Sequence, residues 1–189
     1  MTKTQAGSGT PSQDGRVFSE QLHRIRDVHI EVESILQSLA ASRDDNPCAR
    51  CTSVCCKEVY CRESVNSAFL RFVLGPRVDA YSANDGWFEP GSGCRLSYGR
   101  PLVCYAFFCE KFELQPWAEP RRLSREFKNL YASALAGQHM LVVDDISRIG
   151  ENRLNIIHGR LEKVREMASA ALCRSLQEKL VLNFHVDKE

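Results

Sequence analysis

Along residues 17–42, Phe18, Leu22, Ile25, Val32, Ile35, Leu36 and Leu39 recur mostly at steps of three and four, with charged residues between them. That period gathers the apolar positions on one face of an α-helix. Such a helix is a rod of about 39 Å, too long to be buried without a partner helix. Asp44, Asp45, Asn46 and Pro47 end it, because proline disfavours helix in the residue before it. A second long stripe spans residues 151–180: Leu154, Ile157, Leu161, Val164, Ala168, Ala171 and Leu172, then Leu176 and Leu180. Both stripes keep a spacing near 3.5, as in helices packed side by side. We expect the two helices to pack together, antiparallel, with both stripes as core.

Shorter elements lie between them. Residues 64–74 read as a helix, with Ser64 as N-cap, an apolar side of Phe69, Leu70, Phe72 and Val73, and Gly75 as the stop. Pro76, Gly86, Pro90, Gly91 and Gly93 make residues 76–93 loop-rich. Residues 123–136 predict a further helix with Phe127, Leu130, Tyr131 and Ala134 on one face and Gly137 at its end. Residues 140–143, Met-Leu-Val-Val, suit a short strand or the approach to the last helix. Residues 1–16 are small and polar and read as a disordered tail, leaving 17–189 as a single α-helical domain. The fold class is mainly α: long N- and C-terminal helices packed around a loop-rich, metal-stabilised cysteine segment.

Charge narrows the partners. The chain carries 25 basic and 24 acidic residues, a net charge of +1. Residues 1–47 are net −2, with five basic and seven acidic residues; 48–109 are net +2, with seven and five; 110–189 are net +1, with thirteen and twelve. No segment has the basic excess of a backbone-driven nucleic-acid binder. No apolar run approaches the roughly 20 residues of a membrane span. The N-terminus has no apolar stretch to form a signal-peptide core, so we expect a cytoplasmic protein with reduced thiols.

That expectation matters because of cysteine. There are nine, and eight fall within residues 48–109: Cys48, Cys51, Cys55, Cys56, Cys61, Cys94, Cys104 and Cys109. At about 13% of that tract they exceed the level that marks a stapled or metal-supported scaffold. In a reducing compartment clustered thiols read as metal ligands or redox groups. Cys48 and Cys51 have the C-x2-C spacing with which a tight turn aims two sulfurs at one ion. The adjacent Cys55 and Cys56 point apart and more naturally serve two sites, unless one is a redox thiol. Eight thiols suit two four-cysteine sites, one iron–sulfur cluster with spare thiols, or a cluster beside a zinc. The five histidines, His23, His29, His139, His158 and His185, are scattered and read as surface or helix-packing residues. Cys173 lies off the last stripe and reads as a free thiol.

Cys48, Cys51 and Cys55-Cys56, followed by Cys94, Tyr98, Arg100-Pro101, Cys104 and Cys109, resemble the CxxCxxCC zinc- or iron-chelating domain of YkgJ-type proteins, to which the flagellin N-methylases are related. The resemblance covers residues 48–109. It departs from the family pattern in one extra residue between Cys51 and Cys55 and in the early position of Cys61. It implies that the cysteines hold zinc or an iron–sulfur cluster. On the residues themselves, four thiolates around a divalent ion leave a net negative charge. Arg100 between Cys94 and Cys104 is placed to offset that charge and to donate hydrogen bonds to sulfur. Pro101 stiffens the return of the chain to Cys104. Tyr98, Tyr105, Phe107, Phe108, Trp87 and Phe88 are expected to wall the site with apolar surface.

Three functions follow as expectations. The first is a metal-binding protein with a redox or electron-transfer role; the number of thiols and the vicinal pair favour iron–sulfur over a single structural zinc. The second is a protein-modifying enzyme related to the flagellin lysine N-methylases, although no glycine-rich loop follows a strand to cradle a methyl donor and no catalytic constellation is evident. The third is a zinc-braced module that binds a protein partner through its helical faces.

Overall fold

A computed structural model describes residues 13–42, 58–89, 93–105, 118–134, 146 and 149–186. Helices are α1 (Gln13–Ala41), α2 (Glu58–Asn66), α3 (Ala68–Leu74), α4 (Ala118–Ala134) and α5 (Glu151–Val186), and the fold is mainly α. None of them is long and apolar enough to cross a membrane among the described residues.

Helix α5 buries Leu154, Ile157, Leu161, Val164, Ala168 and Ala171 at alternating steps of three and four. Helix α1 answers with Ile25, Val28, Val32, Leu36 and Leu39, and Ile35 only flanks this face. Polar contacts fix the register: Gln21 donates to Asn155, Arg165 pairs with Glu31 at 2.9 Å, and Ser42 meets Ser175 at 3.0 Å. Both sides of these pairs climb together in residue number, so α1 and α5 run parallel, correcting the antiparallel expectation. Antiparallel neighbours are the outcome of short connections. Here more than a hundred residues separate the two helices, enough to carry the chain back to the starting end.

Helix α4 supplies the reverse direction. Its first turn reaches the far end of α5 through Glu119 and Arg174, while Tyr131, a few turns later, meets His29 midway along α1. Leu123, Phe127, Leu130 and Tyr131 fill the groove between α1 and α5. The helix starts at Ala118, five residues before the expected start. Pro120 is accommodated because the first turn needs no N–H from it. Likewise α1 begins at Gln13, inside the stretch expected to be a tail.

The expected helix over 64–74 is two helices. Ser67, not Ser64, caps the second: its backbone is extended and its side chain accepts from the N–H of Leu70. Ser64 sits inside α2 and is buried. Gly75 does end α3, in a left-handed conformation with φ of 55°. A 3-10 turn over Gly75–Ala80 leads into a two-residue hairpin, β1 (Phe88–Glu89) and β2 (Gly93–Cys94), antiparallel with Phe88 opposite Cys94 and Glu89 opposite Gly93. This hairpin lies in the stretch expected to be loop alone. Residues 140–143 lie outside the described residues, as do Gly137 and His139, while His185 falls in the last turn of α5.

The end of the α5 stripe departs from expectation. Leu176 and Leu180 are about half exposed, at 48% and 59%. Helix α1 ends at Ala41, level with Ser175, so the last turns of α5 extend beyond it.

Candidate functional site

Two small structures flank the described cysteines. The first is a satellite core of Cys61, Leu74, Trp87 and Leu96, with Val65, Tyr81 and Cys94 packed against it. Buried Trp87 donates from Nε1 to Ser64 Oγ at 2.5 Å, and Ser64 in turn donates to the carbonyl of Cys61 at 2.7 Å. The two bonds tie the turn after α3 back onto α2. Gly86 lies against Cys61 so closely that a Cβ there would stand 3.1 Å from the cysteine Cβ.

The second is an arch over residues 94–105. Arg95 N–H donates to Trp87 O at 2.8 Å and continues the hairpin. Gly99 then turns the chain with φ of 77°, a conformation that side chains disfavour. A Cβ on Gly99 would also stand 2.5 Å from Leu74 Cδ2. After buried Pro101, a 3-10 turn over Leu102–Tyr105 closes with Cys104 N–H donating to Pro101 O at 2.9 Å. Pro101 thus opens the turn that carries Cys104. Cys94 and Cys104 are both partly buried.

The Arg100 side chain folds back onto this arch: its Nε donates to Leu96 O at 2.8 Å. Burial pulls its pKa down, but the negative charge available at Cys94, Tyr105, Glu33 and Cys104 outweighs this and leaves it raised. Its surroundings therefore favour the cation, and both Cys94 and Cys104 are among the groups that do so.

Beneath the arch lies a feature that sequence reasoning missed. Glu33 of α1 is fully buried, and its carboxylate gathers donors on both oxygens. Oε2 accepts from Gly99 N–H at 2.5 Å; Oε1 accepts from Arg100 N–H at 3.0 Å and Tyr105 O–H at 2.5 Å. Successive backbone N–H groups beside a left-handed glycine form an anion-binding concavity, and Glu33 fills it. His29, one turn earlier and also fully buried, brings Nε2 to 3.1 Å from Oε2 without hydrogen-bond alignment. Its Nδ1 lies 2.5 Å from Tyr131 Oη. Burial first, and then the Glu33 charge, push the Tyr105 and Tyr131 hydroxyls well above the usual tyrosine range, so both stay protonated. A signal was present: His29 and Glu33 are four apart, each next to a buried apolar residue, Val28 or Val32. Glu33 was read only as one of the charges between the apolar positions, and His29 as a surface or helix-packing residue.

Among the described residues the aromatic side chains do not form one wall but divide between the satellite core and the helical core. Trp87 belongs to the satellite core. Tyr105 turns into the helical core, its ring edge-on to Phe127 at 5.0 Å. Tyr98 lies under the Arg77 guanidinium, 4.4 Å from the ring centroid. Phe88 is partly buried on β1. Phe107 and Phe108 lie outside the described residues, as do Cys48, Cys51, Cys55, Cys56 and Cys109.

Of the eight expected ligands, Cys61, Cys94 and Cys104 are therefore the ones the structure describes. Cys61 and Cys94 share the satellite core, while Cys94 and Cys104 both act on Arg100. Among the described residues no three His, Cys, Asp or Glu side chains are grouped to hold a metal ion. No disulfide joins Cys61, Cys94, Cys104 and Cys173 to one another, and Cys173 is exposed on α5. His23 and His158 are on helix surfaces, His23 edge-on to Phe72 at 4.9 Å and His158 near Glu162. No protein-family model, curated protein or solved structure matches the chain.

Proposed function

We propose that the chain is a cysteine-cluster metal-binding protein of the YkgJ type, that its eight tract cysteines hold an iron–sulfur cluster in preference to zinc, and that it serves a redox or electron-transfer role in the cytoplasm. The observation that supports this most is the arch that carries Cys94 and Cys104, in which Arg100 Nε is held by Leu96 O at 2.8 Å and negative charge at both cysteines favours the cation. A cation near the thiols compensates the negative charge that thiolate ligands accumulate around a metal. The donor chemistry fits: thiolates are soft ligands that select iron–sulfur clusters or zinc over hard cations. In this reading Cys94 and Cys104 are ligands from the arch, and Cys48, Cys51, Cys55, Cys56, Cys61 and Cys109 supply the remainder. The bound group would supply electron transfer if it is a cluster, and bracing alone if it is zinc. Arg100 would hold charge balance and donate toward sulfur, and Pro101 would keep Cys104 in place.

Metal content after purification without oxygen tests the reading. Iron and acid-labile sulfide in equal amounts support the cluster. About two zinc ions per chain support paired four-cysteine sites instead. Absence of metal with oxidised cysteines overturns both, together with the cytoplasmic assignment. Cys104→Ser is expected to lower metal content and Cys173→Ser to leave it unchanged; equal behaviour would refute the ligand assignment.

A second reading, a zinc-braced interaction module, draws on the exposed Leu176 and Leu180 at the end of α5. Zinc content together with a partner-dependent loss of exposure at those leucines would favour it.

A further inference from the structure

We infer that Glu33 is a positioning residue for the cysteine arch: its buried carboxylate, carried on the rigid helix α1, holds the segment between Cys94 and Cys104 in shape. The placement argues for this. A carboxylate wholly removed from water is costly unless its lone pairs are satisfied. Here three donors satisfy it, and all three come from the arch: Gly99 N–H, Arg100 N–H and Tyr105 O–H. They bracket Pro101 and reach the residue next to Cys104. The helix side contributes His29, held by Tyr131 of α4. Glu33 is thus where the helical core and the thiol-bearing loop are joined by charge-assisted hydrogen bonds, which are stronger than neutral ones. Both carboxylate oxygens face donors, so an amide in its place must turn an NH2 toward an N–H or O–H group. Glu33→Gln therefore preserves size and costs the clamp at least one hydrogen bond.

The inference rests on the proposed metal reading only for what the arch carries, and its main test needs no metal. Full-length, reduced, chelator-treated protein is alkylated with iodoacetamide and followed by mass spectrometry at Cys94 and Cys104, with exposed Cys173 as internal standard. Glu33→Gln is expected to label Cys94 and Cys104 faster by about tenfold, the order expected for losing one hydrogen bond to a buried charge. Cys173 labelling and helical circular dichroism should not change. Tyr131→Phe perturbs the same buried network on the far side of His29 and should leave both arch cysteines within about twofold of native. Native labelling in Glu33→Gln overturns the inference. So does equal acceleration in Tyr131→Phe, which assigns the effect to general loosening of the core. If Glu33→Gln does not fold, Tyr105→Phe decides, because it removes one donor and leaves the carboxylate; several-fold faster labelling of Cys104 supports the clamp and a native rate refutes it. Chelator-driven release of metal from loaded protein is a separate arm. A native chain that takes up no metal refutes the metal reading, while the labelling still decides the clamp.

Discussion

The parallel pair α1 and α5 and the cysteine-bearing arch are stabilised by different physics. The helices meet along a long apolar seam, where each turn repeats the same kind of contact from Ile25 to Leu39 and from Leu154 to Ala171. No single contact there is indispensable to the geometry. The arch has no such seam. Its apolar contacts are short, Leu96 with Leu74 and Trp87 beside Cys61 at one arm and Leu102 and Tyr105 against the helical core at the other, and its shape also depends on individual bonds: Trp87 to Ser64, Arg100 to Leu96, and the three donors on Glu33. A seam loses stability gradually when it is damaged. A set of single bonds loses geometry at the bond that is cut.

The sharpest way to break this contrast is Leu161→Ala, at a fully buried position of α5. We expect a loss of about 2–5 kcal/mol of stability in urea unfolding, from lost transfer energy and a residual cavity. Labelling of Cys94 and Cys104 under native conditions should not change. Accelerated labelling would show that the seam and the arch are one cooperative unit. Gly99→Ala attacks the arch. The added methyl meets Leu74 and the backbone stays in a left-handed conformation, so a loss of about 1–3 kcal/mol is expected. Here arch labelling should rise before any loss of helix signal; simultaneous loss would contradict the separation.

A third prediction concerns the polar joint between the two regions. Tyr131 and Tyr105 have folded-state pKa values above those of the unfolded chain. Their stabilising contribution is therefore fully present below the unfolded value of about 10 and is lost as pH rises from there toward the folded values. Each can add a slope of up to about 1.4 kcal/mol per pH unit to alkaline destabilisation. Unfolding titrations above pH 10 should be shallower in Tyr131→Phe than in the native chain; identical limbs would remove Tyr131 from that account. The smallest effect is expected beyond the seam. Leu176→Ser and Leu180→Ser should each change stability by no more than about 0.5 kcal/mol, because both side chains are already half exposed. A loss of 2 kcal/mol or more would reveal cover on that end of α5.

The helical content was legible because apolar periodicity reports directly on which face is buried. Leu154, Ile157, Leu161, Val164, Ala168 and Ala171 lie in the core as their spacing predicts. The same periodicity ran past its evidence at Leu176 and Leu180, since a stripe records what a helix is able to bury and not how far its partner reaches. Capping was misread at Ser64 because two serines three residues apart are equally good caps in isolation. Burial of Ser64 against Trp87 decided for Ser67. Of the thiol-bearing segment the structure describes Cys61, Cys94 and Cys104, and negative charge at Cys94 and Cys104 favours the Arg100 cation. His29 lies among the helices, one of the two places expected for it, whereas the burial of Glu33 was not legible, because a charged residue inside a helix stripe is ordinarily on the solvated side.

Local pattern was sufficient for the two long helices, for helix over 123–134 and for the stop at Gly75. Each depends on propensities and steric limits within a few residues. The parallel direction of α1 and α5, the division of the aromatic residues between two cores, and the burial of Glu33 under the arch required the folded chain. These depend on which distant surfaces meet: Gly99, Arg100 and Tyr105 supply the donors that Glu33 needs from more than sixty residues away. A carboxylate can leave water only where such donors converge, and that convergence is a property of the assembled core.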